Sequence, residues 1–177
     1  KVAINLPEGK NLIGSFYHPK GVLIDPNLLY TLDKREFNNG MAEVIKYASI
    51  LDKILFYRLL MFSEKELNKE IEDIIFSCCN IKKRIVQQDE RDIGKRMLLN
   101  FGHTLGHVIE KYFNYEQYTH GEAIAIGMYN ITLKSEILGY TQGGIAQQMK
   151  KVLEKYGLPY KMPDMDREEM LKILSRD

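Results

Sequence analysis

The chain has almost no excess of charge of either sign. Its 25 lysines and arginines meet 24 aspartates and glutamates over 177 residues, so no general electrostatic pull toward nucleic acid or a membrane surface is expected. Cysteine is nearly absent too: the two present, Cys78 and Cys79, are neighbours in sequence. Adjacent cysteines are poorly placed to bridge each other, which argues against a disulfide-built fold and suits a reducing, cytoplasmic compartment. No apolar run approaches the roughly 20 residues that cross a bilayer. There are no repeats and no low-complexity tracts, and no signal peptide is expected. The chain opens inside what reads as a strand and stops at Asp177 just after a helix, so both ends are expected to be cut from a longer protein. What remains, 45% hydrophobic residues, is ample for one large domain or a domain with part of a second.

Three short β-type runs come first: Val2–Asn5, Leu12–Tyr17 and Val22–Asp25. Turn residues separate them, Pro7-Glu8-Gly9 and then His18-Pro19-Lys20-Gly21. Three strands do not make a sheet of ordinary size, so they read as the tail of a sheet continued elsewhere, with a domain boundary near Asp33. Beyond it the pattern is helical throughout. Helices are expected over Glu36–Ile50, with Met41, Ile45 and Ala48 on one face, and over Asp52–Met61. Ser63 and Glu66 form a capping box ahead of a stripe through Leu67, Ile71, Ile74, Cys78, Ile81 and Ile85. Cys78 therefore reads as packing, and Lys82-Lys83-Arg84 as a solvated face near a helix end. A charged loop, Gln87–Lys95, leads on. Later helices are expected over Gly121–Leu138 and Ile145–Tyr156, ended by Gly139 and Gly157, and from Asp166 to Leu174.

The stretch from Arg96 to Met128 holds three of the four histidines. His103 and His107 are four apart, which stacks them on one helix face, and Arg96 and Asn100 extend the same stripe toward the N-terminus. Such groups on an otherwise apolar helix are costly to bury without polar partners. His120 opens the next apolar run and can fold back to face His103 and His107. Two imidazoles and a carboxylate suit a divalent metal with a position left open. The motif is not H-E-x-x-H, because Thr104 and Leu105 follow His103, so a zinc-protease reading fails. Gly102 and Gly106 leave backbone bare beside the histidines, allowing a close neighbour. A core helix whose histidines merely bond backbone carbonyls is the plainer alternative; the registered Arg and Asn, and His120 close behind, weigh against it.

The segments G-H-T-L-G-H-V-I-E, H-G-E-A-I-A-I-G-M and G-M-A-E-V-I-K together resemble the 3-dehydroquinate synthases, a branch of the sugar-phosphate cyclases. The opening K-V-A-I-N-L-P-E-G-K-N-L-I-G-S-F-Y-H-P-K-G-V-L-I-D and the later D-E-R-D-I-G-K-R-M-L-L-N resemble the same family, so the match covers nearly the whole chain. The resemblance implies a mainly α protein. A helical metal- and substrate-binding domain over residues 34–177 is preceded, in 1–33, by a few strands from the end of an α/β NAD-binding domain. The family's glycine-rich NAD loops have no counterpart in this sequence. Its D-K-K motif near the C-terminus is met only by S-R-D ending on Asp177, so this fragment alone is expected to be inactive.

Position by position, the resemblance implies Glu43, His103 and His120 as ligands of zinc, or of cobalt. It implies Lys46, Lys82, Arg96, Asn100 and His107 as catalytic and substrate-binding residues, with Asn11 also at the substrate. Lys1, Lys10 and Leu28, Leu29, Tyr30 and Thr31 fall beside NAD. The implied substrate is a small phosphorylated sugar acid, 3-deoxy-arabino-heptulosonate 7-phosphate, converted to 3-dehydroquinate in the shikimate pathway of aromatic amino-acid biosynthesis. A homodimer is expected, without nucleic-acid or membrane partners. The rivals are another cyclase such as 2-deoxy-scyllo-inosose synthase, an iron-dependent alcohol dehydrogenase relative, and a non-catalytic helical module with a closed structural metal site. Arg96 and Asn100, suited to a substrate carboxylate, favour dehydroquinate chemistry over the first. The Glu43 motif argues against the second, and the third has only Cys78 and Cys79 as spare strong ligands.

Overall fold

The computed structural model describes residues 2–6, 9–15, 17, 19–89 and 94–175; within the first strands, the side chains of Val2, Asn5 and residues 9–12 are outside that description. Strands β1 (Val2–Leu6) and β2 (Gly9–Ser15) form an antiparallel hairpin, from Val2 opposite Ser15 to Leu6 opposite Gly9, with an irregular register between Ile4 and Leu6. The third expected strand, Val22–Asp25, does not form. No neighbouring strand among the described residues takes up its backbone groups, and the segment stays irregular and exposed, Leu23 at 98%. A 3-10 turn, Pro26–Thr31, follows, and the Asp25 carboxylate accepts the Asn27 amide at its start.

From Asp33 onward every described element is helical. The Asp33 side chain accepts the Glu36 amide at 2.9 Å and starts α1 (Lys34–Leu51); Asp52 does the same for α2 (Lys53–Met61) through the Leu55 amide. The Ser63–Glu66 capping box opens α3 (Glu64–Lys69). The apolar stripe that follows predicts one helix but occupies two. Glu70 leaves helical geometry at φ −97°, ψ 4°, sends its carboxylate to Arg58 of α2 at 2.6 Å, and the chain restarts as α4 (Ile71–Gln88). Leu67, Ile74, Ile81 and Ile85 are buried on either side of the break, as their spacing requires.

A second break matters more. The stripe Arg96–Asn100–His103–His107 reads as one helix, yet Lys95–Asn100 is a 3-10 turn, Phe101 is extended, and Gly102 sits in the left-handed region at φ +79°. Helix α5 (His103–Tyr112) begins only after it. The reason lies in α6 (His120–Ile137), which packs directly on this corner. A Cβ at Gly102 would stand 2.7 Å from the Ile124 carbonyl oxygen, one at Gly106 2.9 Å from the Ile124 side chain, and one at Gly127 on the Gly102 carbonyl itself. A continuous helix through Gly102 would not fit this contact. The bare backbone expected at Gly102 and Gly106 is thus occupied by α6.

Helix α6 is apolar on nearly all sides, with Ile124, Ala125, Ile126 and Met128 fully buried, and it forms the axis of the bundle. Ile124, Ala125 and Met128 share one core with Ile45 of α1, Leu59 of α2, Ile74 of α4 and Leu153 of α7 (Ile145–Lys155). Each such buried side chain contributes about 1.5–3 kcal/mol relative to exposure. On the other side Ile109, Ala123 and Ile126 pack with Phe113, Met162 and Met165 beneath α8 (Arg167–Leu174), which Asp166 caps through the Glu169 amide. No helix among the described residues is long and apolar enough to cross a membrane.

The glycine contacts give opposite expectations for the same substitution. Gly127→Ala should lower unfolding free energy by more than about 2 kcal/mol, because the atoms in its way are backbone. Gly40→Ala, inside α1 with open space around it, should raise it by about 0.5–1 kcal/mol. Urea denaturation of the two variants checks both signs.

Candidate metal centre

Glu43 lies in the third turn of α1, and its position is set by a seam between α1 and the start of α6. Arg35 donates to both carboxylate oxygens of Glu122, each at 2.8 Å, and to the Gln117 carbonyl at 3.1 Å. Glu122 is also the returning half of a capping box with Thr119. One turn along, the Gly121 amide donates to the Asn39 side chain, and a Cβ at Gly121 would collide with the Asn39 carbonyl. These contacts hold residue 120 against residue 43.

His103 and His120 are each the first residue of a helix, α5 and α6, and the close α5–α6 packing brings their rings to 5.1 Å between centres. His103 Nε2 is 3.5 Å and His120 Nε2 is 3.3 Å from the same oxygen, Oε1 of Glu43. One ligand atom from each residue lies within 4.8 Å of the other two. Zinc bonds of about 2.0–2.1 Å at tetrahedral angles separate neighbouring donors by roughly 3.4 Å. The donor types and these two separations therefore fit a zinc-sized ion.

The electrostatics are those of a crowded, partly buried cluster. Burial would push the Glu43 carboxyl up, but the hydrogen bonds from His103 and His120 and the nearby Lys46 ammonium outweigh it and hold the group well below the usual carboxylate range. Lys46 is almost fully buried, with Nζ 2.7 Å from Glu43 Oε2 and 5.1 Å from the centre of the Tyr47 ring. The Glu110 and Glu43 carboxylates, Glu110 first, push the His120 imidazole up to about 9 against the opposing effect of burial. His103 Nδ1 faces the Phe101 carbonyl at 3.3 Å.

The structure brings Glu43, Lys46, His103, His107 and His120 together. The His107 ring is 5.6 Å from that of His103 and 6.4 Å from that of His120. Arg96 and Asn100 belong to the preceding 3-10 turn. The Arg96 amide donates to the Asp89 carboxylate at 3.0 Å, and Asn100 lines a cleft of about 580 Å³ with Ile50, Phe101 and Ile131. The single helical stripe expected for Arg96, Asn100 and the histidines is thus corrected to two elements meeting at Gly102. Lys82 stands on the exposed flank of α4. Leu28 and Tyr30 are exposed on their 3-10 turn, where the Thr31 hydroxyl donates to the Leu28 carbonyl at 2.7 Å. Lys1 and the side chains of Lys10 and Asn11 lie outside the described residues.

Two features went unread in the sequence although signals existed. Thr119-x-x-Glu122 has capping-box form, and Glu110 is an acidic residue between Ile109 and Lys111 on the face that carries His103 and His107. The Arg35–Glu122 pair, 87 residues apart, has no local signal.

Residues 40–177 match the family model described as 3-dehydroquinate synthase C-terminal, and residues 1–39 the one described as 3-dehydroquinate synthase N-terminal. The chain belongs to the 3-dehydroquinate synthase family. A 3-dehydroquinate synthase of Clostridium botulinum (strain Alaska E43 / Type E3) is 55% identical over all of this chain and 51% of its own length. One of Legionella pneumophila (strain Lens) is 44% identical over all of this chain and 49% of its length. The chain spans about half the length of the curated relatives it matches. Among solved structures, 2-deoxy-scyllo-inosose synthase complexed with carbaglucose-6-phosphate, NAD+ and Co2+ aligns with a TM-score of 0.83 at 29% identity, over 99% of this chain and 48% of that one. The 2-epi-5-epi-valiolone synthase of Streptomyces hygroscopicus subsp. jinggangensis 5008, with NAD+ and Zn2+ bound, aligns at 0.78 and 25% identity, over 98% and 49%. Within the 3-dehydroquinate synthase family the expected mainly helical architecture therefore stands.

The cysteines take no part in the cluster. Burial pushes the Cys78 thiol up to about 12, whereas Cys79 is exposed. Iodoacetamide at neutral pH should therefore label Cys79 in the native protein and reach Cys78 only after denaturation, as read by peptide mass spectrometry. The seam has its own pH signature. The Arg35 guanidinium, bonded to Glu122, holds that carboxyl below its ordinary value against partial burial. Its stabilisation is complete above the unfolded value of about 4.3 and is lost as pH falls through the lower folded value. The urea midpoint of the parent chain should drop across that acid window, and Glu122→Gln should flatten this part of the curve.

Proposed function

We propose that this chain is the metal- and substrate-binding part of a 3-dehydroquinate synthase, residues 34–177, joined to the last strands of its nucleotide-binding domain, residues 1–33. The observation that carries the reading is the convergence of Glu43, His103 and His120 from three helices on one point at zinc-like spacing. The reaction would convert 3-deoxy-arabino-heptulosonate 7-phosphate to 3-dehydroquinate and phosphate, a carbon–oxygen lyase step of the shikimate pathway, in a cytoplasmic homodimer. Relatives at 44–55% identity carry that name, while the inosose and valiolone synthases stand at 25–29%. This favours the dehydroquinate reaction over its cyclase rivals.

Glu43, His103 and His120 would hold zinc or cobalt. The ion supplies Lewis acidity that lowers the pKa of a substrate hydroxyl. Lys46 occupies the second oxygen of Glu43 and so leaves Oε1 turned toward the imidazoles. It also brings a positive charge to the floor of the site, where an anionic substrate needs one. His107 is placed to bind a phosphate or move a proton beside the two ligand histidines. Lys82, Arg96, Asn100 and Asn11 would supply the remaining cationic and amide contacts to carboxylate and phosphate.

NAD supplies reversible hydride acceptance. Lys1, Lys10 and Leu28–Thr31 would flank it, but an exposed 3-10 turn without a glycine-rich phosphate loop does not cradle a dinucleotide. The rest of that site belongs to the half of the relatives' length that this chain does not span.

The purified chain should bind one zinc ion per molecule. Glu43→Ala, His103→Ala and His120→Ala should each weaken binding by more than about 100-fold, beyond the loss expected for an outer partner. Metal analysis after dialysis reads the result, and full retention in Glu43→Ala would overturn the ligand set.

A further inference from the structure

The structure assigns a role to Glu110: we infer that its carboxylate fixes the tautomer and ring orientation of His120, making it a positioning residue of the metal centre. The inference rests on the Glu43–His103–His120 reading and extends it to a group one layer further out.

Glu110 is 4% exposed and stands next to Val108 and Ile109, both fully buried. A carboxylate in such surroundings persists only where partners compensate its lost hydration. One group with that capacity is His120, whose Nδ1 lies 3.3 Å from Glu110 Oε1. On the opposite side of the same ring, Nε2 lies 3.3 Å from Glu43 Oε1. The imidazole is thus strung between two carboxylates, one at the ligand cluster and one behind it.

Chemistry decides what each end does. An ionised carboxylate only accepts hydrogen bonds, so the nitrogen facing Glu110 must carry the proton. The same holds for Nε2, which faces the Glu43 carboxylate, so the metal-free ring is held with both protons; where a cation replaces the Nε2 proton, the proton kept is the one on Nδ1 against Glu110. This is the form a divalent cation requires, and an outer carboxylate on the far nitrogen both selects it and makes the ring a stronger donor. His103 is treated differently: its Nδ1 faces the neutral Phe101 carbonyl at 3.3 Å. The two histidines therefore differ in the group behind the ring, a carboxylate for His120 and a backbone carbonyl for His103.

The placement also links site to fold. Glu110 lies seven residues after His103 on α5, two turns along the same face. Helix α5 thereby provides one ligand itself and orients the ligand of α6. A slip between the two helices would break both functions at once, and the Gly106–Ile124 contact leaves no room for one.

Glu110→Gln and Glu110→Leu test the assignment in the full chain, by zinc competition against a chromophoric chelator and by 15N NMR of the histidine rings. With Glu110→Gln, which keeps shape and an acceptor but loses charge, zinc affinity should fall about 10-fold; with Glu110→Leu it should fall about 100-fold. Stoichiometry should stay at one ion, and in the metal-free chain, at a pH where the ring is neutral, the His120 signals should move from a single Nδ1–H tautomer toward a mixture. A packing role alone would shift the urea midpoint while leaving tautomer and affinity in Glu110→Gln as in the parent, and that result would overturn the inference. Should Glu110→Leu fail to fold, Glu110→Gln alone decides. Zinc bound by the parent and unaffected by either change defeats the Glu110 role only; no zinc bound by the parent defeats the metal reading beneath it.

Discussion

Between α5 and α6 there are points where a single added methyl group would collide with backbone. Gly102, Gly106 and Gly127 remove the side chains that would otherwise hold the helices apart, and the Gly102 carbonyl, already bonded to the Gly106 amide, faces Gly127 directly. Dense packing of this kind fixes relative position far more tightly than interdigitated long side chains, which have alternative rotamers. Since His103 and His120 are the first residues of these two helices, the spacing of their rings is inherited from a backbone contact. The third member, Glu43, is brought in by a separate device, the polar seam of Arg35 with Glu122 and Asn39 with Gly121. One apolar contact and one charged seam together define the cluster.

Much of this was legible before any coordinates. Two helix starts were readable because capping acts over three residues: Ser63 and Asp166 cap through the bonds their side chains imply. Asp33 and Asp52, read only as a boundary and a first helical residue, turn out to cap as well. The buried faces of α1 and α4 followed from apolar spacing. The metal trio came from family likeness rather than spacing, since Glu43 lies 60 residues before His103 and no local rule joins them. What failed did so for tertiary reasons. The stripe from Arg96 to His107 has helical period, but period is blind to the approach of α6, which forces Gly102 into the left-handed region. The stripe through Leu67 and Ile85 likewise conceals the turn at Glu70, which depends on Arg58 of another helix. Val22–Asp25 has strand-like residues without a strand beside them.

The site combines groups that each oppose burial and are tolerated only as a set. Lys46 is hidden from water yet shares the carboxylate that faces both imidazoles, so removing any one member would leave another charge uncompensated.

The three converging side chains come from helices that begin at residues 34, 103 and 120. An ion held by all three would close two loops of very different length, one spanning most of the polypeptide between α1 and α5, the other only the short hairpin from α5 to α6. Long loops lose the most freedom on closure, so the bond to Glu43 would act as a tertiary cross-link while the bonds to the histidines would merely secure neighbours already in contact. Loading such a site couples metal supply to the folded population by mass action. In a cell, the abundance of this protein would then follow the free metal available to it as well as its rate of synthesis.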